Sequence, residues 1–240
     1  MGRFRLILVH PQLIQFGRLV LPTYGFLLAL GVVLGLIVCV RTARLLSLDH
    51  DKIWSVALLA IVTALAGRIL LRLLHWPQYT LSAGLAGAAA GLVYAKHLGL
   101  PVRRTADAFA PSLAVGASAA SIACLEAGCD YGTPTHVPWA VIFHSAAVTP
   151  GTPLGVPLHP TQIYAGLVEF ALFALSLWLL YRPHHDGEVL GTWLFLSGLA
   201  RSLLTTLRGG DILTPQFAGM AMVLGGGLLW LRRSQVTHGR

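Results

Sequence analysis

The sequence predicts an all-α integral membrane protein of about seven transmembrane helices, with one long loop region between the fourth and fifth spans. Three observations predict it. Of the 240 residues, 55% are hydrophobic and only 11% are charged, whereas an ordinary soluble domain carries about 25% charged residues. Apolar segments near the length that crosses about 30 Å of hydrocarbon recur along the whole chain. The basic residues fall mainly in short connections between those segments. Helices are the natural spanning element, because each satisfies its own backbone in lipid.

The first twenty residues contain a proline and several polar residues and no cleavage-site pattern, so they do not read as a removable signal peptide. The apolar segments follow at 24–40, 53–74, 80–99, 106–128, 161–181, 188–207 and 215–231. The first begins at Tyr24 and carries Cys39 in its apolar run. The second contains Arg68 and Arg72. The third reads SAGLAGAAAG from Ser82 to Gly91, a run of small residues that lets helix backbones approach closely. The fourth opens at Asp107 and ends near Glu126. The stretch 129–160 is the longest connection and holds six prolines. It reads as an irregular surface segment in which VPWAVIF supplies one short strand. Spans five and six contain Glu169 and Arg201. Nothing divides 1–240, which reads as a single transmembrane domain.

Placement of Lys and Arg sets the orientation. One set of connections holds Arg41, Arg44, Lys52, Lys96, Arg103, Arg104, Arg182, Arg232, Arg233 and Arg240, ten in all; the other holds Arg3, Arg5, Arg18 and Arg208, four in all. The richer set belongs in the cytoplasm. The N-terminus and the 129–160 region, which has no Lys or Arg, then lie outside, and the C-terminus lies inside.

The net charge is +8. No nucleic-acid motif accompanies it, and basic loops of this kind favour anionic lipid headgroups. The three cysteines, Cys39, Cys124 and Cys129, do not make a disulfide framework. The five-residue spacing of the last two fits no usual zinc pair. His136, His144, His159 and Cys129 share the outer region at irregular spacings, so the expectation is no metal and no cofactor.

Charged groups inside a span usually face a cavity or a partner. Arg72 lies close enough to a helix end to snorkel. Arg68 and Arg201 lie deeper, and arginine's planar fork suits a phosphate. Two such arginines point to an anionic headgroup drawn into the bundle; pairing with Glu169 or Asp107 is the alternative. His159 opens the stretch HPTQIY, with Thr161, Gln162 and Tyr164 close behind. Its imidazole is suited to take a proton near neutral pH.

With these residues in view, the chain resembles the bacterial prolipoprotein diacylglyceryl transferases over nearly its whole length. Residues 10–31, with the Tyr24–Gly25 pair, are similar to the family's opening. The AGR at 66–68 resembles its arginine-bearing second span, and 99–116 the approach to its signature helix. LHPTQIY at 158–164 is close to the family's His-Pro-(Ser/Thr)-Gln-Leu-Tyr-Glu. Arg201 and Arg208 keep the spacing of the family's two late arginines, and GGDILTPQ at 209–216 resembles the stretch that follows them. Four positions depart. Ser121 stands where the family's Gly-Arg-x-Gly-Asn signature has its arginine. Ser82 stands for the histidine of a His-Gly-Gly motif, Ala165 for the glutamate after the tyrosine, and Thr205 for an acidic residue between the arginines.

The resemblance implies transfer of a diacylglyceryl group from phosphatidylglycerol to the cysteine thiol that follows a lipoprotein precursor's signal segment. It implies a thioether product and departing glycerol phosphate. It places the protein in the bacterial inner membrane, with phosphatidylglycerol, membrane lipids and the prolipoprotein signal-peptide region as partners. His159, Arg201 and Tyr24 are the catalytic candidates. Arg68, Gln162, Tyr164, Asp107 and Arg208 are the lipid-binding candidates. A catalytically inactive phospholipid-binding paralogue is the alternative that Ser121 and Ser82 raise.

Overall fold

Each of the seven apolar segments is a helix in the computed structural model, which describes residues 12–16, 19–75, 80–145 and 147–231. The helices are α1 Thr23–Leu45, α2 His50–Leu73, α3 Thr80–His97, α4 Val102–Ala127, α5 Thr161–Leu180, α6 Glu188–Thr205 and α7 Leu213–Leu231. Among the described residues, α1, α2, α4 and α5 are long and apolar enough to cross a membrane by length and composition. Arg3, Arg5, Arg18, Arg232, Arg233 and Arg240, used above for orientation, lie outside the described residues, as do residues 10, 11, 17 and 18 of the opening stretch.

Small residues set the packing. α4 is the central helix and touches α1, α3, α5 and α6, while α2 pairs with α3 and α6 with α7. Along the α1–α4 seam, a Cβ added at Gly31 would lie 2.6 Å from the Ala119 methyl, and Thr42 Oγ1 donates to the Ala108 carbonyl at 2.7 Å. The Gly/Ala run of α3 does what its composition predicts: a Cβ at Gly87 would meet the Ala60 carbonyl oxygen of α2 at 2.5 Å. Between α6 and α7, a Cβ at Gly198 would meet the Gly219 carbonyl oxygen at 2.6 Å. The outward faces are apolar: Val62, Leu65, Ile69, Val93, Leu167, Phe170, Leu203 and Leu224 are all exposed. A surface of this kind is at home in hydrocarbon rather than water.

Two features add to the sequence reading. The residues before α1 form an antiparallel pair, β1 Gln12–Phe16 with β2 Leu19–Pro22, in which Gln15 faces Val20. The 129–160 region has little regular secondary structure, as expected, but its described residues pack together. Its VPWAVIF stretch yields β3 Val141–Ile142, which pairs antiparallel with β4 Pro157–Leu158. Val141, Phe143, Val148 and Leu158 bury a small apolar core of their own beneath it, with Leu125 and Ile163 packed alongside. Enough apolar side chains are spaced through the prolines to build that core, so the region is a folded cap on the bundle. Gly128, at φ 73°, ends α4 in the left-handed conformation. Just beyond it, Cys129 is disulfide-bonded to Cys124 of the last helical turn, with Cα atoms 5.0 Å apart. The cysteine count was too low to suggest a framework, but one local bridge is present.

Candidate functional site

α4, α5 and α6 enclose a cavity at the end of the bundle that carries the cap. α4 contributes Ala117, Ser121 and Cys124. α5 contributes Thr161, Gln162, Ala165, Val168 and Glu169. α6 contributes Ser197, Ala200, Arg201 and Leu204, and Asp130 and Arg208 close the rim. The spacing follows from helix geometry: positions 161, 165, 168 and 169 share one face of α5, and 197, 200, 201 and 204 share one face of α6. The wall is therefore apolar or small, with charge concentrated in four side chains.

Three of those charges are occupied. Arg208 forms an ion pair with Asp130. Glu169 is buried and accepts hydrogen bonds from Trp193 Nε1 at 3.0 Å and from the Ser197 hydroxyl. Arg201 has no ion-pair partner within 4.0 Å among the described residues. Its charge is felt by the nearby Glu169 carboxylate without a direct ion pair, which leaves its hydrogen-bonding fork available to an external anion.

The rim is held tightly. Thr161 Oγ1 donates to the Asp130 carbonyl at 2.6 Å, and Gln162 Nε2 donates to the Cys129 carbonyl at 2.7 Å. Thr133 N–H donates to the Leu207 carbonyl at 2.8 Å, and Gly209 N–H to that of Tyr131 at 2.9 Å. The chain after α4 is thus stitched to both the start of α5 and the end of α6.

Of the eight residues singled out from the sequence, the structure brings Arg201, Arg208 and Gln162 together in this cavity. His159 and Tyr164 stand at the same end but not in its wall. Their rings are 6.3 Å apart, Tyr164 Oη accepts from Trp139 Nε1 at 2.6 Å, and His159 Nδ1 is buried with no partner among the described residues. Tyr24 lies in the first turn of α1, which packs on the α4 face bearing Ser112 and Ala119. That face points away from the one bearing Ser121. Arg68 is exposed on α2, and α2 contributes nothing to the cavity wall.

Asp107 lies fourteen positions before Ser121 on α4, or about 21 Å along the axis, and is fully buried. Its carboxylate accepts the backbone N–H groups of Gly187 at 2.6 Å and Leu190 at 2.8 Å. It caps the start of α6 from a neighbouring helix. The lipid-contact expectation for Asp107 therefore meets a carboxylate already engaged, at the opposite end of the bundle. Sequence reasoning missed Asp130, Ser197 and Trp193. A signal for Asp130 was its place directly after Cys129; Ser197 and Trp193 carried none, being ordinary residues of an apolar span.

A profile of the family described as prolipoprotein diacylglyceryl transferase matches residues 11–232. The phosphatidylglycerol–prolipoprotein diacylglyceryl transferase of Clostridium tetani is 27% identical over 217 residues, spanning 84% of this chain and 86% of that protein. The protein of the same name from Dehalococcoides mccartyi strain 195 is 28% identical over 223 residues, spanning 85% and 84%. That of Synechococcus elongatus is 26% identical over 251 residues, spanning 92% and 87%.

Proposed function

The chain belongs to the prolipoprotein diacylglyceryl transferase family, and from that premise we propose that the α4–α6 cavity is where it moves a diacylglyceryl group from phosphatidylglycerol to a precursor's cysteine thiol. The single observation that carries this reading is Arg201. It is a guanidinium without an ion pair within 4.0 Å among the described residues, in a cavity whose other charges are Glu169, hydrogen-bonded to Trp193 and Ser197, and the Asp130–Arg208 pair. Acyl chains suit the apolar exterior, and a phosphate suits the arginine.

The chemistry follows from the site. The acceptor thiol loses its proton, and the thiolate attacks the glyceryl carbon that bears the phosphate. An S–C bond forms, the C–O bond breaks, and the electron pair leaves on glycerol phosphate. Arg201 stabilises the charge gathering on that phosphate, with Arg208 at the rim as the second positive group. Gln162 and Tyr164 shape the approach. His159, with its unpartnered Nδ1 two residues from the cavity-lining Thr161, is the acid–base candidate for the thiol proton. Tyr24, Arg68 and Asp107 act from outside the cavity wall, on the bundle or on lipid at its periphery.

Seven spans, a bacterial inner-membrane location and an exterior cavity end complete the reading. The Lys- and Arg-free stretch 129–160 supports that orientation. So does the Cys124–Cys129 disulfide at the same end, since disulfides persist in oxidising compartments. The acceptor is then the signal-peptide region of a precursor presented from the outer leaflet.

The test is lipidation of a reporter precursor in a bacterium depleted of its own transferase, read by mass spectrometry. A gain of one diacylglyceryl group is expected, and Arg201→Ala should lower it by about a hundredfold or more. Wild-type transfer by that variant overturns the assignment of Arg201. Phospholipid retention without product would favour the inactive paralogue, a reading that Ser121 and Ala165 in the cavity wall support.

A further inference from the structure

We propose that Asp130 is a positioning residue for Arg208 and that the Cys124–Cys129 disulfide locks it in place, so that transfer slows when the disulfide is reduced. The inference rests on the transferase reading above, and deepens it by adding a redox control to the same cavity.

Three independent observations converge on residue 130. Its carboxylate pairs with Arg208, whose side chain is only 12% exposed. Its backbone is in the left-handed region, at φ 57°, which aspartate tolerates better than most non-glycine residues but still adopts at some cost. The surroundings that hold it there can be named. The disulfide ends one residue earlier, at Cys129. The Asp130 carbonyl is held by Thr161 Oγ1, and the Cys129 carbonyl by Gln162. Arg208 is fixed in turn by the backbone bridge between Gly132 and Arg208.

The disulfide is the only covalent tie in this set, and Cys124 lines the cavity. A dithiol reductant would deliver two electrons and two protons to it. The S–S bond breaks, Cys124 and Cys129 become thiols, and the reductant closes to its own disulfide. Residue 129 is then free to move, residue 130 can leave its left-handed conformation, and Arg208 loses the carboxylate that aims it. The cost falls on the transition state, where phosphate charge is greatest, rather than on ground-state lipid binding.

The full-length protein in phosphatidylglycerol nanodiscs, given a peptide with one cysteine, provides the test. Reductant is removed before assay, and thiol content is checked by mass. Asp130→Asn should lower kcat about tenfold or more and leave KM for phosphatidylglycerol within about threefold, while Asp130→Glu recovers most of the rate. Reduction of the wild type, or the Cys124→Ser, Cys129→Ser double variant, should produce a similar fall. Reduction should slow Asp130→Asn no further, because the two changes act through one contact. A wild-type rate for Asp130→Asn, or equal slowing of wild type and variant on reduction, overturns the proposal.

Should the oxidised wild type transfer nothing, the transferase reading fails separately. The lock is then judged by hydrogen exchange of peptides covering 131–133 and 207–209, whose amides join the cap to α6. Faster exchange on reduction and in Asp130→Asn sustains it. Unchanged exchange ends it.

Discussion

Asp107 Oδ2 accepts the backbone N–H of Gly187 at 2.6 Å, across eighty positions of sequence. α6 has no side-chain cap of its own, since Gly187 occupies its N-cap position at φ 93°. A buried carboxylate on α4 supplies the missing acceptor, with Leu190 N–H as its second donor. Asp107→Ala should therefore destabilise the protein by about 1–3 kcal/mol, the cost of leaving buried donors unsatisfied. A thermal melt in detergent reads that loss, and phosphatidylglycerol retention per folded molecule should be unchanged. Lost retention at unchanged stability would return Asp107 to the lipid site.

The glycines of the α6–α7 seam leave no room for a side chain. A Cβ at Gly198 would meet the Gly219 carbonyl oxygen at 2.6 Å and the Met222 Cβ at 2.8 Å. Gly198→Val should cost about 1–3 kcal/mol through overpacking, read as a lower melting temperature. Gly225→Ala, where the added Cβ meets nothing within 4 Å, should leave the melt unchanged.

Ser121 lines the cavity and, among the described residues, hydrogen-bonds back to its own helix at the Ala117 carbonyl, 2.9 Å away. Ser121→Arg would add a guanidinium to the wall that holds Arg201. Retention of phosphatidylglycerol should rise by about fivefold or more at low salt, and the gain should shrink as salt is raised. No gain in binding would place the headgroup elsewhere.

Asp211 caps the start of α7. Its carboxyl is held below the usual carboxylate range, first by the Thr214 side chain and then by the backbone N–H groups of Thr214 and Leu213. The folded value is the lower one, so the stabilisation is present above the ordinary range and is lost as pH falls through the lowered value. Hydrogen-exchange protection over 212–214, corrected for the intrinsic rate at each pH, should fall below about pH 4, and Asp211→Asn should remove that pH dependence.

How much of this was legible in the sequence depends on what each residue answers to. Helix positions could be read because apolar length is a local property, and all seven segments are helices within a few residues of their expected ends. Arg201 could be read because a charge within an apolar span is conspicuous, and Arg208 and Gln162 because the stretches that carry them resemble the family's. Asp130 offered only its place beside Cys129, since its importance comes from Arg208, seventy-eight positions away. Asp107 was conspicuous for the same reason as Arg201 and drew the same expectation, yet the donors it serves are main-chain groups that no side-chain pattern reveals. The cap over 129–160 was hidden by its prolines, which signal irregular backbone while Phe143 and Leu158 quietly build a core.

The order in which helices pair carries a consequence for biosynthesis. α2 meets α3, α4 meets α5, and α6 meets α7, each with its immediate successor, whereas α1 packs far more extensively on α4 than on α2. A chain leaving the ribosome can close each of the first three pairs as a hairpin soon after its second member emerges. α1 cannot. It must wait in the bilayer, with Gly31, Gly35 and Thr42 facing lipid, until three further helices, the last of them α4, have been threaded. Any quality-control factor that recognises unpaired small-residue faces in the membrane would find its longest opportunity there.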